Sequence, residues 1–231
     1  MGIFITFEGT EGSGKSTQIK RLAARIQELG SEVVLLREPG GTPIGEEIRH
    51  TLKHSAANHA MTPETELLLM NAARAQLVRE VIRPALAGGK VVLCDRFFDS
   101  TIVYQGHGRG LDLREVRHIV NYAVGDTLPD LTLLLRVPLA VSEERRAARQ
   151  AATPERDRFE ETDRAFFERV ETGYDNLGRS EGDRVRIIDA TRSVEEVGEA
   201  IWLWVKPLFD QRLVQGEVAC KSVGEEGRGR E

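Results

Sequence analysis

The sequence predicts an α/β fold in which five parallel strands are covered by helices on both faces. Short apolar segments alternate with longer segments of helical periodicity along most of the 231 residues. Apolar residues run consecutively in segments such as Val91-Val92-Leu93-Cys94, which is typical of strands buried on both faces. The predicted strands are residues 3–8, 32–37, 90–94, 131–137 and 185–189, and the predicted helices are 15–29, 43–53, 63–87, 112–124, 139–150, 160–179 and 194–209.

The first strand leads into a phosphate-binding loop (P-loop). Residues 9–16 match G-x-x-x-x-G-K-[ST] and lie between an apolar strand and a helical segment. Glycines let backbone N–H groups converge on phosphate oxygens, and the following helix adds its positive end. Lys15 is expected to reach the β- and γ-phosphates, and Ser16 to bind Mg²⁺. The predicted nucleotide-binding residues are Gly9, Thr10, Glu11, Gly12, Ser13, Gly14, Lys15, Ser16 and Thr17.

Glu11 is unusual in this loop, because it places a carboxylate in a cradle built for anions. Two like charges about 4 Å apart repel by roughly 1 kcal/mol in water, and by more in a cleft. Glu11 therefore either turns out to solvent or binds a sugar hydroxyl, an arginine or a metal. The position alone leaves both readings open.

Composition and charge favour a soluble enzyme. The net charge is −5, and no apolar segment approaches the ~20 residues that span a bilayer. The N-terminus enters the first strand without a basic and apolar leader. Two distant cysteines, Cys94 and Cys220, favour a reducing compartment without a structural disulfide. We therefore expect a cytoplasmic protein that binds neither nucleic acid nor a membrane.

The chain is expected to form one domain, residues 1–212, with an arginine-rich lid and a disordered tail. The tail, residues 213–231, is Gly-rich and charged and has few large apolar side chains. Residues 145–158 carry five arginines between two predicted helices. A charge run is usually a solvated face, but phosphoryl transfer uses mobile cations that neutralise charge and exclude water. We therefore expect a mobile lid at 145–158.

Charged residues follow two predicted strands, at the sheet edge where parallel α/β proteins bind ligands. Arg37 opens the turn Arg-Glu-Pro-Gly-Gly-Thr, where it either meets an anion or is a surface residue. Asp95 resembles a Walker B carboxylate, which holds Mg²⁺ directly or through water. Ser16 and Asp95 are therefore the predicted metal ligands.

Arg96, Ser100 and Tyr104 share one face if residues 96–105 are helical. A guanidinium, a hydroxyl and an aromatic ring on one face suit a phosphorylated ring compound, with Arg96 binding the phosphate. The alternative is an amphipathic helix with incidental polarity. The helix is expected to be broken by Gly106, Gly108 and Gly110.

Arg74 lies on the apolar stripe of the predicted helix 63–87, four residues after Met70. A lone arginine on a buried face needs a partner. That partner is either a ligand, with Met70 as an apolar floor beside it, or an internal acidic residue. The neighbouring clusters favour the ligand.

Taken together, these clusters resemble the thymidylate kinase family of nucleoside monophosphate kinases, from about residue 3 to residue 209. The matching segments are Phe-Glu-Gly-Thr-Glu-Gly-Ser-Gly-Lys-Ser-Thr (7–17), Arg-Glu-Pro-Gly-Gly-Thr (37–42), Ala-Ala-Arg (72–74), Asp-Arg-Phe (95–97), Ser-Thr-Ile-Val-Tyr-Gln-Gly (100–106) and Leu-Pro-Asp-Leu-Thr (128–132). The resemblance implies the P-loop nucleoside monophosphate kinase fold and a homodimer.

The resemblance also implies roles for single residues. Glu11 would face the 3′-hydroxyl of the acceptor sugar, and Tyr104 would pack beside the sugar C2′ and disfavour ribose. Position 12 is Gly, so the loop lacks the arginine of the eukaryotic type, and lid arginines would act as in bacterial members. The implied catalytic residues are Lys15, Arg96, Arg149 and Arg158, and the implied substrate-binding residues are Glu11, Arg37, Met70, Arg74, Arg96, Ser100, Thr101, Tyr104 and Gln105.

One residue departs from the family pattern. Met70 stands where the family usually stacks an aromatic ring on thymine. A methionine packs on a ring through its polarizable sulfur, but more loosely.

The expected reaction is ATP + dTMP → ADP + dTDP with Mg²⁺. One alternative is a kinase for another pyrimidine monophosphate, UMP, CMP or dUMP. A second is a P-loop NTPase module that binds nucleotide without an acceptor. A GTPase-like switch is disfavoured because the chain lacks the guanine-reading motif Asn-Lys-x-Asp.

Overall fold

Five strands form one parallel sheet, as predicted, and their order is β2-β3-β1-β4-β5. The computed structural model describes residues 2–152, 158–159 and 162–225, and the side chains of 149, 150, 152 and 211–225 are not described. The strands are β1 (Ile3–Glu8), β2 (Val33–Arg37), β3 (Val91–Asp95), β4 (Leu131–Arg136) and β5 (Val185–Asp189). Strand β1 lies at the centre, between β3 and β4.

Helices connect the strands, and several begin at a side-chain cap. Thr42, Thr62, Asp112 and Asp163 each accept a hydrogen bond from a backbone N–H of the first turn. The helices are α1 (Lys15–Glu28), α2 (Pro43–Lys53), α3 (Pro63–Leu77), α4 (Arg83–Ala87), α5 (Phe98–Thr101), α6 (Leu113–Val124), α7 (Leu139–Ala152), α8 (Arg164–Ser180) and α9 (Val194–Glu225). A 3₁₀ turn (Ala56–Ala60) precedes α3, and π-helical turns cover Val78–Ile82 and Ile102–Gly108.

Alternate residues of β1 contribute to the cores on the two faces of the sheet. Ile3, Ile5 and Phe7 pack with residues of α1 and α9, whereas Phe4 packs with residues of α3 and α6. All six residues of β1 are buried. This arrangement agrees with the prediction of a sheet covered on both faces. Across the residues that the structure describes, no helix is long and apolar enough to cross a membrane.

The predicted helix 63–87 is interrupted by a π-helical turn. The N–H of Arg83 donates to the carbonyl of Val78, five residues earlier. Pro84 explains the interruption, because proline has no N–H and its ring clashes with the carbonyl four residues before it in a regular helix. The predicted start of this helix at residue 63 is confirmed.

Gly106 and Gly108 do not break the helix as expected, because the helical turn runs through both. They allow close packing instead. A Cβ on Gly106 would lie 2.5 Å from the side chain of Leu113, and a Cβ on Gly108 would lie 2.6 Å from the ring of Phe166. The segment ends just before Gly110, whose φ is +77°.

The C-terminal half of the chain departs from the predicted boundaries. Helix α7 continues to Ala152, so the predicted lid at 145–158 starts inside a helix. Helix α8 begins at Arg164 rather than 160, and α9 extends beyond 209 to Glu225. Residues 153–157, 160, 161 and 226–231 lie outside the described residues. The mobility of the lid and the disorder of the tail stay predictions.

Buried polar residues cross the sheet in one connected set. Thr6 Oγ1 and Thr132 Oγ1 lie 2.8 Å apart on neighbouring strands, and Thr132 Oγ1 donates to Asp99 Oδ2 at 3.3 Å. Arg184 donates to both carboxylate oxygens of Asp99, at 2.7 and 2.9 Å. Asp99 is fully buried, so Arg184 supplies the charge that such a carboxylate requires.

We expect Arg184→Met to lower the free energy of unfolding by about 3 kcal/mol, because it leaves the Asp99 carboxylate buried without its cation. The measurement is urea denaturation at pH 7.5. Arg192→Met is the matched control, because the Arg192–Asp189 pair is exposed and should change stability by less than about 0.5 kcal/mol. Equal losses in the two variants would contradict the interpretation.

Candidate active site

The P-loop closes around the ammonium group of Lys15 at the carboxyl end of β1. Lys15 Nζ donates to the carbonyl oxygens of Gly9 (3.1 Å) and Thr10 (2.8 Å) and to Ser13 Oγ (3.3 Å). The side chain is buried. Burial, reinforced by the nearby Arg96 charge, lowers the pKa of Lys15 to about 8, although Asp95, Glu11 and Glu8 oppose the shift.

Helix α7 contacts the P-loop directly. Ser142 Oγ donates to the Glu11 carbonyl at 2.7 Å, and Arg145 Nη1 donates to the Gly12 carbonyl at 3.2 Å. Gly12 has φ +76°, and a Cβ there would lie 3.0 Å from the Cβ of Arg145. The absence of a side chain at position 12 is therefore what allows α7 to approach the loop.

Ser16 and Asp95, the predicted metal ligands, are brought together. Ser16 Oγ donates to Asp95 Oδ2 at 2.9 Å. Within the described part of the chain, no group of three or more His, Cys, Asp or Glu could hold a metal. The donor set fits Mg²⁺, which binds through one or two protein oxygens and completes its shell with substrate phosphates and water.

Arg96 is held at the centre of the site by a strained backbone. It is the one non-glycine residue with positive φ (+69°) among those that the structure describes. Its Nη2 donates to Glu11 Oε1 (2.9 Å) and to the hydroxyl of Tyr104 (3.2 Å). Its Nη1 donates to Ser100 Oγ (3.0 Å) and to the hydroxyl of Tyr174 (3.1 Å). Glu11 therefore binds an arginine, one of the partners that the sequence allowed.

Ser100 and Tyr104 contact Arg96, as predicted, but the predicted helix 96–105 is wrong at its start, because Arg96 has φ +69° and precedes α5. Tyr104 is buried, and the Arg96 guanidinium lies 4.9 Å from the centre of its ring. Burial raises the pKa of Tyr104 to about 12, so the phenol is neutral at physiological pH.

Arg74 forms an internal salt bridge, the alternative that the sequence analysis did not favour. Its Nε and Nη2 donate to Glu38 Oε2 at 2.9 and 2.6 Å, and its Nη1 donates to Asn71 Oδ1 and Thr101 Oγ1. The side chain is 2% exposed. Burial raises the pKa of Glu38 to about 7, although the Arg74 charge opposes the shift. A substrate contact of Arg74 stays a prediction.

The remaining predicted substrate residues differ in how they are held. Arg37 is half exposed and donates to Glu46 Oε2 (2.8 Å) and to the Pro39 carbonyl (3.1 Å). Met70 is half-buried on α3, between Glu66 and Arg74. Because these three residues are spaced by four, they lie on one face of the helix.

Glu66 is a fully buried carboxylate that collects several donors. Gln105 Nε2 donates to its Oε1 at 2.8 Å, and Arg109 donates to both oxygens. Arg158 Nη1 donates to Glu66 Oε2, and Arg158 Nη2 donates to the Met61 carbonyl. The predicted lid arginine Arg158 therefore lies beside α3 rather than against the P-loop.

Arg149 belongs to α7, but its side chain lies outside the described residues. Of the lid arginines that the structure describes, Arg145 is the one whose bond to the P-loop is observed. Arg146 stacks on Phe167 of α8, with its guanidinium 4.1 Å from the ring centre.

The sequence analysis did not identify the buried carboxylates that hold the arginines of the site. Glu8, Glu38 and Glu66 are all buried. Glu8 carried a usable signal, because it is a charged residue at the end of an otherwise apolar strand. Tyr174 of α8, whose hydroxyl contacts Arg96 and Glu8, was not among the predicted site residues.

Comparison with known proteins identifies the family. The sequence model of the family described as "Thymidylate kinase" matches residues 7–201. The thymidylate kinase of Syntrophotalea carbinolica is 50% identical over 205 residues, covering 88% of this chain and 94% of the relative. That of Geobacter sulfurreducens is 52% identical over 203 residues, covering 87% and 95%.

A solved structure supports the same conclusion. The crystal structure of thymidylate kinase from Ehrlichia chaffeensis superimposes with a TM-score of 0.70 at 31% identity, covering 88% of this chain and 98% of that one. The chain therefore belongs to the thymidylate kinase family.

Proposed function

We propose that this protein transfers the γ-phosphoryl group of ATP to dTMP and forms ADP and dTDP. The observation that carries the proposal is that Arg96, a partly buried arginine with positive φ, binds Glu11 of the same P-loop that holds Lys15. Such an arrangement brings a donor loop next to a site for an acceptor phosphate. The thymidylate kinase relatives, about half identical over most of the chain, support thymidylate as that acceptor.

The donor phosphates would be bound by the P-loop. The ammonium group of Lys15 is bonded to loop carbonyls, so it is positioned before the nucleotide arrives. Ser16 and Asp95 would hold Mg²⁺, which when bound neutralises part of the phosphate charge. Lys15, Ser13 and the loop N–H groups would orient the γ-phosphate.

The acceptor would lie between α3 and the segment 96–105. Arg96 would bind its phosphate, because a guanidinium binds phosphate oxygens in a bidentate manner. Glu11 would bind the 3′-hydroxyl, and Tyr104 would lie beside C2′. Arg37, Met70, Arg74, Ser100, Thr101 and Gln105 complete the proposed site, with Met70 packing on the base.

Transfer needs no covalent intermediate in this proposal. The chain positions the two phosphates in line and neutralises the charge that develops between them. Lys15 in the P-loop and Arg96 after β3 would neutralise this charge from the sheet domain. Arg149 and Arg158 would act from the lid, which would also exclude water. Arg158 would have to leave Glu66 to do so.

We also propose a cytoplasmic homodimer. The family resemblance supports the dimer, and two apolar side chains on adjacent helices fit an interface. Leu68 on α3 is 56% exposed and Tyr122 on α6 is 85% exposed. Sedimentation velocity of the full chain tests this proposal, and a monomer at micromolar concentration would contradict it.

Lys15→Ala should reduce kcat/KM by at least about 10³-fold, because a transition-state cation is lost, while the variant still unfolds in one cooperative urea transition. Lys20→Ala is the control, because Lys20 is exposed on the same helix. Coupled ADP-release assays measure both variants. Retained turnover in Lys15→Ala would refute the role of Lys15.

ATP binding should take up a proton at pH 9. Because the Lys15 pKa is about 8 in the free protein, most molecules hold a neutral Lys15 at that pH, and bound phosphates favour the charged form. The affinity for ATP should weaken up to about tenfold per pH unit above 8.

Calorimetry of ATP binding in two buffers of different ionisation enthalpy measures the proton uptake. In Lys15→Arg, which keeps its charge at pH 9, the uptake should vanish; uptake that persists would assign it elsewhere.

A panel of dTMP, dUMP, UMP and CMP should identify dTMP as the best acceptor and UMP as a much poorer one than dUMP. Tyr104→Ala should raise the UMP-to-dUMP ratio of kcat/KM, because it opens space beside C2′, whereas Tyr104→Phe should leave that ratio unchanged. A wild-type preference for UMP would contradict the assignment. ATP hydrolysis independent of any acceptor would favour the binding-module alternative.

A further inference from the structure

Glu8 lies close to Arg96 and is fully buried at the carboxyl end of β1. Its Oε1 accepts from the backbone N–H groups of Phe97 (2.8 Å) and Ser100 (3.2 Å). Its Oε2 accepts from Ser100 Oγ (2.6 Å) and from the hydroxyl of Tyr174 (2.9 Å). These four donors satisfy both oxygens of the Glu8 carboxyl group.

The same two hydroxyls also contact Arg96. Ser100 Oγ and the hydroxyl of Tyr174 each accept a hydrogen bond from Arg96 Nη1, at 3.0 and 3.1 Å. A hydroxyl has one proton and two lone pairs. Because both protons are directed to Glu8, both hydroxyls present lone pairs to the guanidinium. Glu8 therefore sets the orientation of two hydroxyls that it shares with Arg96.

The two ends of the guanidinium are held differently. Nη1 is bound by hydroxyls that are fixed from the protein interior. Nη2 is bound by Glu11 and Tyr104, the residues proposed to face the acceptor sugar. An arriving phosphate would exchange partners at Nη2, while Nη1 stays anchored.

We propose that Glu8, acting through Ser100 and Tyr174, is the positioning residue that aims Arg96 at the acceptor phosphate. This inference rests on the proposed function, because it takes Arg96 as the phosphate ligand. Glu8 and Tyr174 do not themselves touch the substrate. Their contribution is to hold one end of the guanidinium so that the other end is available in a fixed orientation.

The other charged groups near Glu8 do not provide a second link between Glu8 and Nη1 of Arg96. Asp99 approaches from α5 and is neutralised by Arg184. Glu11 approaches from the P-loop and binds Nη2, not Nη1. The link from Glu8 to Nη1 therefore passes through Ser100 and Tyr174.

The decisive experiment is a double-mutant cycle between Tyr174→Phe and Arg96→Ala. Tyr174→Phe keeps the ring, which packs in the core with Phe166 and Val170, and removes only the hydroxyl. We expect it to raise KM and the calorimetric dissociation constant for dTMP by about tenfold and to change KM for ATP less than twofold. In the Arg96→Ala background the same change should alter dTMP affinity less than twofold.

Two further variants separate positioning from stability. Thr172→Val removes another α8 hydroxyl, which is bonded to the Glu168 carbonyl, and should leave dTMP affinity unchanged. Glu8→Gln keeps the shape but must donate to one hydroxyl, so it should raise KM for dTMP at least as much as Tyr174→Phe. Urea midpoints identify any variant that is merely unfolded, and Tyr174→Phe decides the question if Glu8→Gln does not fold.

The results can overturn the inference independently of the proposed function. An equal loss of dTMP affinity from Tyr174→Phe with and without Arg96 would refute positioning, and so would a Tyr174→Phe variant that behaves like Thr172→Val. If the wild type phosphorylates a different monophosphate, thymidylate as substrate is wrong, and the same cycle run with that acceptor still tests Glu8. If it phosphorylates no acceptor, both proposals fail.

Discussion

The burial of β1 on both faces is the constraint on which the site depends. A strand without solvent on either side leaves every polar side chain on it to be satisfied by other protein groups. Thr6 meets Thr132 on β4, and Glu8 meets donors from the segments after β3 and from α8. Strand β1 therefore does more than deliver the P-loop to the sheet edge, because its polar residues also tie the acceptor side of the site to the framework.

A common arrangement follows on the acceptor side, where three buried or partly buried arginines are each held by a buried carboxylate. Glu8 reaches Arg96 through two hydroxyls, Glu38 binds Arg74 directly, and Glu66 binds Arg158. A buried cation without such a partner would be costly. Pairing also removes rotamer freedom before any ligand arrives, which is a contribution to preorganisation.

The fold and the donor half of the site were largely predictable, because both depend on local patterns. Consecutive apolar residues identified the strands, and the spacing of Gly14, Lys15 and Ser16 identified the P-loop. The acceptor half depends on residues far apart in sequence: periodicity showed that Arg74 needed a partner but not that Glu38, 36 residues away, supplies it. Helical spacing likewise cannot reveal that Tyr174 of α8 reaches Arg96. Gly108 was misread because a glycine's effect depends on its neighbour in space, here the ring of Phe166.

The residues that contact Glu66 affect the free-energy cost of the proposed lid movement. This carboxylate has two cationic partners, Arg109 and Arg158, of which only Arg158 belongs to the lid segment. If Arg158 left Glu66 as proposed, Arg109 and Gln105 would stay bonded to Glu66, so the buried negative charge would keep a counter-ion. Arg109 would thus act as a second counter-ion, so that the proposed lid movement would not leave an uncompensated charge in the protein interior.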